Sequence, residues 1–289
     1  MTDGFGQRLA GAFDACGQLC VGIDPHGFLL RSWNLPDDAS GLREFGLRVV
    51  EAAAGRVGVV KPQVAFFERH GSAGYRALEE VLAAARAAGL LVIADAKRGD
   101  VGSTVEAYAQ AWFTTGSALE VDALTMNAYL GVASLDAPVA LAHSAGKGIF
   151  VLAATSNPEA LELQHSTLTG GPSAGRTVAA SIVDAVVGIN AAAGTDSDRL
   201  GSIGVVLGAT VDLGDYGIDL VRMAEGVATP ILAPGFGHQG ARYSELGDLY
   251  GAARAQVIVS ASRSVLSAGP ADIVDAIGSQ AKEVAQWRG

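Results

Sequence analysis

Short apolar segments rich in β-branched residues recur eight times along the chain, separated by alanine-rich stretches. They span residues 19–24, 57–62, 90–96, 121–127, 148–156, 203–209, 230–234 and 256–261. Their apolar character is nearly continuous, which is typical of parallel strands that are buried on both faces. Eight such segments predict an α/β fold, a single (β/α)8 TIM barrel domain over residues 1–289. A doubly wound parallel sheet is the alternative.

The connecting stretches carry the helical pattern, with apolar residues repeating at spacings of three and four. In residues 41–54, for example, Leu42, Phe45, Val49 and Val50 fall on one stripe. The pattern predicts helices over residues 41–54, 74–88, 103–115, 174–193, 216–225 and 271–287. Residues 3–15 predict an extra N-terminal helix, which would close the amino-terminal mouth of the barrel.

Composition narrows the classes of partner. The chain has 289 residues, of which 49% are hydrophobic and 17% charged, enough apolar material for a large core. Lys and Arg number 20 against 30 Asp and Glu, a net charge of -10 without a basic cluster, so nucleic acid is not an expected partner. An anionic substrate would have to be held by local donors instead of a positive overall field.

Location is predicted from two further features of the sequence. No unbroken apolar run reaches the roughly 18 residues that would span a bilayer, so no membrane is expected. Cys16 and Cys20 are the only cysteines, and their spacing matches neither a CxxC redox pair nor a zinc knuckle. Two free thiols are typical of a reducing compartment, and we expect a cytoplasmic protein.

Two segments lack periodicity and are rich in polar residues and glycine, residues 157–173 and 194–202. The first follows the fifth predicted strand and would lie at the carboxyl ends of the strands, where barrel enzymes keep their active sites. It is interpreted as a lid, with a disordered surface insertion as the alternative. The second precedes the sixth strand and belongs to the opposite end.

Polar side chains stand at the carboxyl ends of the predicted strands. Because these ends meet at one mouth of a barrel, we expect the side chains to point into one cavity. Strand alternation puts Asp95 and Lys97 on the same face. The full set is Asp24, Lys61, Asp95, Lys97, Asn127, Ser156, Gln239 and Arg263.

The last two connections predict a phosphate site. The turn at residues 234–237, which begins with Pro234 and Gly235, offers backbone N–H groups, and the eighth strand is followed by Ser262 and Arg263. Barrel phosphate sites are commonly built from these two loops, and Arg263 would supply a forked positive charge. The five histidines are scattered without metal-ligand spacing, so metal-free chemistry is favoured. Neither a dinucleotide fingerprint nor a nucleophile elbow is present.

Residues 95–104, DAKRGDVGST, resemble the DxKxxD signature of the orotidine 5'-phosphate decarboxylase family, in the form typical of its longer bacterial branch. The resemblance extends through VGIDP at 21–25, VKP at 60–62, TSNP at 155–158, PGFG at 234–237 with Gln239, and Arg263. One departure is visible, since Ser262 stands where many relatives have glycine.

The resemblance implies a cofactor-free decarboxylation of orotidine 5'-phosphate to uridine 5'-phosphate in a homodimer with shared active sites. Lys97 matches the proton donor to C6, and Asp95 matches the carboxylate beside the substrate carboxylate. Asp100 and Thr104 match residues that reach into the neighbouring subunit's site. The other matches are Asp24 and Lys61 to the ribose, Ser156 to the pyrimidine amide edge, and Gln239 and Arg263 to the phosphate.

Two other functions remain open at this point. The keto-gulonate phosphate decarboxylases use a similar DxKxxD motif with magnesium and an enediolate intermediate, although the contexts of Lys61 and Ser156 suit a nucleotide better than an open-chain sugar. A non-catalytic barrel that binds a phosphorylated metabolite is the second alternative.

Overall fold

Eight parallel strands pair in sequence order and close into a barrel, because β8 pairs with β1. The computed structural model describes residues 3–194 and 200–287. Its strands are β1 Leu19–Ile23, β2 Val59–Pro62, β3 Leu91–Arg98, β4 Ala123–Met126, β5 Gly148–Ala154, β6 Ile203–Leu207, β7 Ile231–Pro234 and β8 Val257–Ala261. The predicted (β/α)8 barrel is confirmed. The doubly wound sheet is wrong, because it would leave two open edges.

Helices cover the outside of the barrel and one of its mouths. They are α1 Phe5–Cys16, α2 Gly27–Ser32, α3 Ala39–Ala53, α4 Val64–Glu68, α5 Gly71–Ala87, α6 Gly102–Phe113, α7 Asp136–Ser144, α8 Leu161–His165, α9 Val178–Ala193, α10 Leu220–Ala224, α11 Leu246–Tyr250, α12 Arg263–Leu266 and α13 Gly269–Trp287. Short 3-10 turns lie at Val132–Leu135, Pro158–Ala160, Tyr243–Glu245 and Gly251–Gln256. In the part of the chain that the structure describes, no helix combines the length and apolarity needed to cross a membrane.

The predicted helix bounds fail where a polar side chain caps the helix. The helix predicted over residues 216–225 begins only at Leu220, because the Asp219 carboxylate accepts the N–H groups of Val221 and Arg222. The helix predicted from residue 174 begins at Val178, since the Thr177 hydroxyl accepts the Ala180 N–H. The sequence does not predict six of the helices, namely α2, α4, α7, α8, α11 and α12.

Helix α1 closes the amino-terminal mouth, as the sequence predicts. Its Phe5, Leu9 and Phe13 are buried with inward-facing strand residues in one apolar cluster. Phe5 packs directly on Gly148 at the start of β5, where an added Cβ would lie 2.4 Å from the ring. A larger residue there would therefore push the helix off the barrel. The rest of the core lies between the strands and the outer helices.

The segment predicted as a lid has regular local structure. Residues 157–173 contain the turn Pro158–Ala160 and helix α8, and Thr167 forms an antiparallel bridge with Thr177. The Gln164 side chain accepts from the Thr155 N–H and donates to the Thr155 hydroxyl, both at 2.9 Å. The segment is thus fastened to the end of β5, while its action as a lid stays a prediction. Of the other aperiodic segment, residues 195–199 lie outside the described residues.

Candidate active site

A cavity of about 590 Å³ opens at the carboxyl ends of the strands. Seven of the eight side chains predicted for this mouth line it, and so do three predicted neighbours on the last two loops. The ten are Asp24, Lys61, Asp95, Lys97, Ser156, Pro234, Gly235, Gln239, Ser262 and Arg263. The tertiary fold therefore brings together residues that are spread over most of the sequence.

Strand β3 ends in a bulge that aims Lys97. The β3–β4 register shifts between Ala94 and Arg98, and Lys97 has a left-handed backbone with φ of +48°. Simple strand alternation is therefore the wrong reason for expecting Asp95 and Lys97 together, although their side chains do meet. A bulge commonly redirects a side chain next to a functional site, and a left-handed residue with a side chain costs on the order of 1 kcal/mol or more.

Asp95 is the centre of the charged cluster. Its Oδ2 lies 2.8 Å from Lys61 Nζ, and its Oδ1 lies 2.6 Å from Lys97 Nζ and 2.9 Å from the Thr125 hydroxyl. Lys61 and Asp95 are buried, whereas the Lys97 side chain is 48% exposed toward the open mouth. Lys97 is thus the more exposed of the two cations, although Lys61 also lines the cavity.

Mutual attraction keeps the buried pair ionised. Burial would raise the pKa of Asp95, but the nearby Lys61 and Lys97 charges outweigh it and hold the pKa well below its usual range. Burial would likewise lower the pKa of Lys61, yet Asp95 and Asp24 reverse the effect and raise that pKa above its ordinary value. The Lys61–Asp95 pair therefore stays charged across the neutral pH range.

Asp24 and Ser262 both lie beside Gly22. The Oδ1 atom of Asp24 is buried and has no hydrogen-bond partner among the described residues, which is unusual for a carboxylate oxygen and leaves it available to a donor on a ligand. A Cβ added at Gly22 would lie 1.9 Å from the Ser262 hydroxyl oxygen. Gly22 thus provides the room that Ser262 needs in this chain.

The turn at residues 234–237, at the end of β7, presents fewer free backbone N–H donors than the sequence suggests. The Gly237 N–H already donates to the Ala241 carbonyl at 2.8 Å, and Pro234 has no N–H, its carbonyl accepting from Ala209 at 2.8 Å. Two of the four residues in this turn are therefore excluded as anion donors. Arg263 opens α12 and lines the cavity, and its guanidinium forms no ion pair with any carboxylate in residues 3–194 and 200–287.

Three predicted residues do not line the cavity. The Asn127 amide instead donates to the Lys97 carbonyl at 3.1 Å, because the bulge carries that carbonyl toward β4. The Asp100 carboxylate accepts the Val101 N–H at 2.8 Å, and Thr104 is exposed in the first turn of α6. Within the described residues of one chain, Lys97 forms its ion pair with Asp95 and none with Asp100.

Seven polar residues that the sequence analysis did not assign to the site also line the cavity: His26, Gln63, Thr125, Thr155, Asn157, His238 and Ser260. The His26 ring packs 4.3 Å from the Phe66 ring, and burial lowers the pKa of His26. His26 and Gln63 each lie two positions after a predicted site residue, a period-two signal that was available. Thr125 sits inside an apolar strand and gives no such signal.

A closed (β/α)8 barrel with a charged cavity at the carboxyl ends of its strands has the architecture of the TIM-barrel enzymes. Among the described residues, no group of three or more His, Cys, Asp or Glu side chains is arranged to hold a metal ion. The model of the orotidine 5'-phosphate decarboxylase / HUMPS family matches residues 17–276, and the chain belongs to this family. The family predicted from the sequence motifs is thereby confirmed.

Relatives match over nearly the whole chain. An orotidine 5'-phosphate decarboxylase of Streptomyces coelicolor is 49% identical over 267 residues, covering 92% of this chain and 91% of the relative. One of Corynebacterium glutamicum is 45% identical over 285 residues, covering 99% and 98%. A Streptomyces avermitilis crystal structure has a TM-score of 0.90 at 46% identity, covering 99% and 96% of the two chains. The OMP decarboxylase structure of Leishmania donovani has a TM-score of 0.77 at 28% identity, and the match covers 99% of this chain and 98% of that chain.

Proposed function

We propose that the protein decarboxylates orotidine 5'-phosphate to uridine 5'-phosphate and CO2, without a metal or organic cofactor, in the synthesis of UMP. Family membership and relatives of that name at 45% to 49% identity support the reaction. The observation that carries the proposal is the Lys97 ammonium, fixed by Asp95 at 2.6 Å and facing the cavity. The free thiols of Cys16 and Cys20 support a cytoplasmic location.

The chemistry requires a cation at one carbon atom. When the bond from C6 to the carboxylate breaks and CO2 leaves, the electron pair stays on C6 in the ring plane, where no π system accepts it. The Lys97 ammonium would stabilise that carbanion and then transfer a proton to C6, and solvent would reprotonate the amine. This stabilisation arises chiefly in the transition state, which is what lowers a barrier.

Repulsion between Asp95 and the substrate carboxylate is the smaller contribution. Two like charges about 4 Å apart at an effective dielectric near 20 interact by roughly 4 kcal/mol. Enzymes lower barriers by about 8 to 23 kcal/mol, so repulsion alone is insufficient. Lys61 and Lys97 also both contact Asp95, which reduces its net negative field.

Binding roles follow the positions around the cavity. Asp24, with its unpartnered Oδ1, and Lys61 would bind the ribose hydroxyls, and Ser156 would bind the pyrimidine amide edge. Arg263, which has no counter-ion among the described residues, and Gln239 would hold the phosphate, with Pro234, Gly235 and Ser262 shaping that end. Binding energy from the phosphate would be used to orient the reacting ring.

A homodimer with shared sites is part of the proposal. Asp100 and Thr104 do not line the cavity of their own chain, and the large apolar side chains Val101, Tyr129 and Leu130, in the segments that follow β3 and β4, are more than half exposed. A second copy on this surface would bury them and bring Asp100 toward the partner's Lys97.

The absorbance change of orotidine 5'-phosphate tests the activity directly. Purified protein in excess EDTA should turn over the nucleotide at the rate seen without EDTA. Loss of activity in EDTA that magnesium restores would instead favour the keto-gulonate phosphate type of reaction. Binding of UMP without any turnover would favour the non-catalytic alternative.

Mixed subunits test the shared site. Neither the Lys97→Ala nor the Asp100→Ala protein should be active alone. Mixing them should restore activity, since a hybrid dimer contains one site with both native residues. Absence of rescue, once hybrid dimers have been demonstrated by mass spectrometry, would reject the sharing of sites.

A further inference from the structure

Thr125 on β4 is a buried polar residue that the proposed mechanism does not use. Its side chain is 1% exposed, and its hydroxyl oxygen accepts the Lys97 backbone N–H at 3.0 Å. The same hydroxyl donates to Asp95 Oδ1 at 2.9 Å, and that oxygen also accepts from Lys97 Nζ at 2.6 Å. These contacts form a closed ring that holds Lys97 by both its backbone and its ammonium.

The direction of the hydrogen bonds is determined by the atoms involved. A hydroxyl has one proton, and the Thr125 oxygen receives the Lys97 N–H, so its own proton is directed to Asp95. Asp95 Oδ1 thus accepts two hydrogen bonds while Oδ2 accepts from Lys61 Nζ at 2.8 Å. The carboxylate has little freedom to rotate away from Lys97 while this arrangement persists.

Strand β4 also supports the left-handed backbone of Lys97. Beyond the Thr125 contact, the Asn127 amide donates to the Lys97 carbonyl at 3.1 Å, and the Asn127 N–H donates to the Arg98 carbonyl at 2.9 Å. A conformation that is unfavourable for a residue with a side chain persists only where the surroundings hold it. Of the two residues that make these contacts, Thr125 is buried and Asn127 is half-buried.

We infer that Thr125 is a positioning residue for the reaction, whose hydroxyl fixes the Lys97 ammonium and the Asp95 carboxylate in one geometry. The inference rests on the proposed function. Because the ring is complete without substrate, Thr125 would act mainly on the transition state, where a misplaced ammonium weakens carbanion stabilisation. Ground-state binding through Arg263 and Gln239, at the other side of the cavity, would change little.

The decisive comparison is Thr125→Val against Thr125→Ser. Valine keeps the shape and removes the hydroxyl, so kcat should fall by about 10²-fold to 10³-fold, the range for one preorganised donor, while KM changes by less than about threefold. Serine keeps the hydroxyl and should recover kcat to within about tenfold of the native enzyme. An unchanged kcat for the valine variant, a KM rise equal to the kcat loss, or failure of serine to rescue would each overturn the inference.

Thr229→Val is the matched control. Thr229 is fully buried, and its hydroxyl accepts from the Asn190 amide at 3.2 Å, away from the cavity. Its loss should lower the melting temperature without changing kcat of the folded enzyme. An equal kcat loss in this variant would mean that any buried hydroxyl matters, and the inference would fail.

Amide hydrogen exchange separates this inference from the proposed function. The Lys97 N–H of unliganded native protein should exchange slowly, and Thr125→Ser should preserve that protection. If Thr125→Val does not fold, Thr125→Ala replaces it, with faster Lys97 exchange and a kcat loss of at least about tenfold expected, because it also removes the hydroxyl. Slow Lys97 exchange in a protein without decarboxylase activity would reject the proposed function alone, whereas unprotected Lys97 in an active enzyme would reject the role of Thr125.

Discussion

The two mouths of the barrel each hold a buried carboxylate beside a cation. They differ in whether the charged group is closed off by protein or borders an open cavity. At the amino end, Asp122 accepts from the Arg8 guanidinium with one oxygen and from the Val92 N–H at 2.9 Å with the other. At the carboxyl end, the Asp95 cluster borders a cavity into which Lys97 is half-exposed. The sealed pair fastens a helix to the barrel, whereas the open cluster can act on a ligand.

The two mouths also differ in packing, since one is filled and the other is open. Phe5, Leu9 and Phe13 of α1 fill the amino mouth with apolar side chains, and a cavity of about 590 Å³ occupies the carboxyl mouth. Substitutions at the amino end should therefore change stability, and those at the carboxyl end should change rate or binding. Each experiment below tests one side of that division.

Lys97→Ala should have the largest effect, a loss of kcat of roughly 10³-fold or more, because no other exposed cation adjoins Asp95 within the described cluster. UMP affinity, measured by calorimetry, should stay within about tenfold of the native value. Arg8→Ala at the amino end is the control and should leave kcat intact. Retention of more than a few per cent of native activity would reject the assigned role of Lys97.

Phe5→Ala should lower the free energy of unfolding by about 3 to 5 kcal/mol, since the ring is fully buried in the apolar cluster at the amino-terminal mouth. Denaturant unfolding gives the loss, and kcat per folded molecule should not change. A lower kcat with unchanged stability would show that the two mouths are coupled. It would contradict the expectation that substitutions at the amino end change only stability.

Arg263→Ala should raise KM for the phosphorylated substrate by about 10-fold to 100-fold, as expected for the loss of a charge-assisted contact, with kcat less affected. Arg242→Ala is the matched control, because this exposed arginine pairs with Glu245 at 2.7 Å outside the lining of the cavity. An unchanged KM for the Arg263 variant would show that the phosphate is not bound by Arg263.

The smallest effect concerns the thiols. Burial raises the pKa of Cys20 to about 12 from an ordinary 9.0, while Cys16 at the end of α1 is only half-buried. At pH 8 a thiol reagent should label one cysteine in native protein and two after denaturation. Because the folded pKa is raised, the stabilisation from protonated Cys20 is present below about pH 9 and is lost as the pH rises toward 12. Rapid labelling of both native thiols would contradict the burial of Cys20.

Much of the site was predictable because its residues come at regular places in the chain. Asp24, Lys61 and Arg263 each stand at or just after the end of an apolar strand, so a count of strands is enough to bring them to one mouth. Asp100 and Asn127 show the limit of that rule, since both follow strands and neither lines the cavity. A strand end fixes the mouth at which a residue lies but not the direction of its side chain.

By itself, the sequence determined the barrel, the N-terminal helix α1 and the family. The eight buried strands and the amphipathic helix are visible as local periodicity, and the family motifs are contiguous stretches of sequence. Only the tertiary structure decided how Lys97 is aimed. The bulge, the left-handed backbone and the Thr125 hydroxyl ring depend on the register between β3 and β4. That register is set by contacts between residues about 30 positions apart along the chain, such as Ile93 and Ala123, which is beyond the reach of a local periodic pattern.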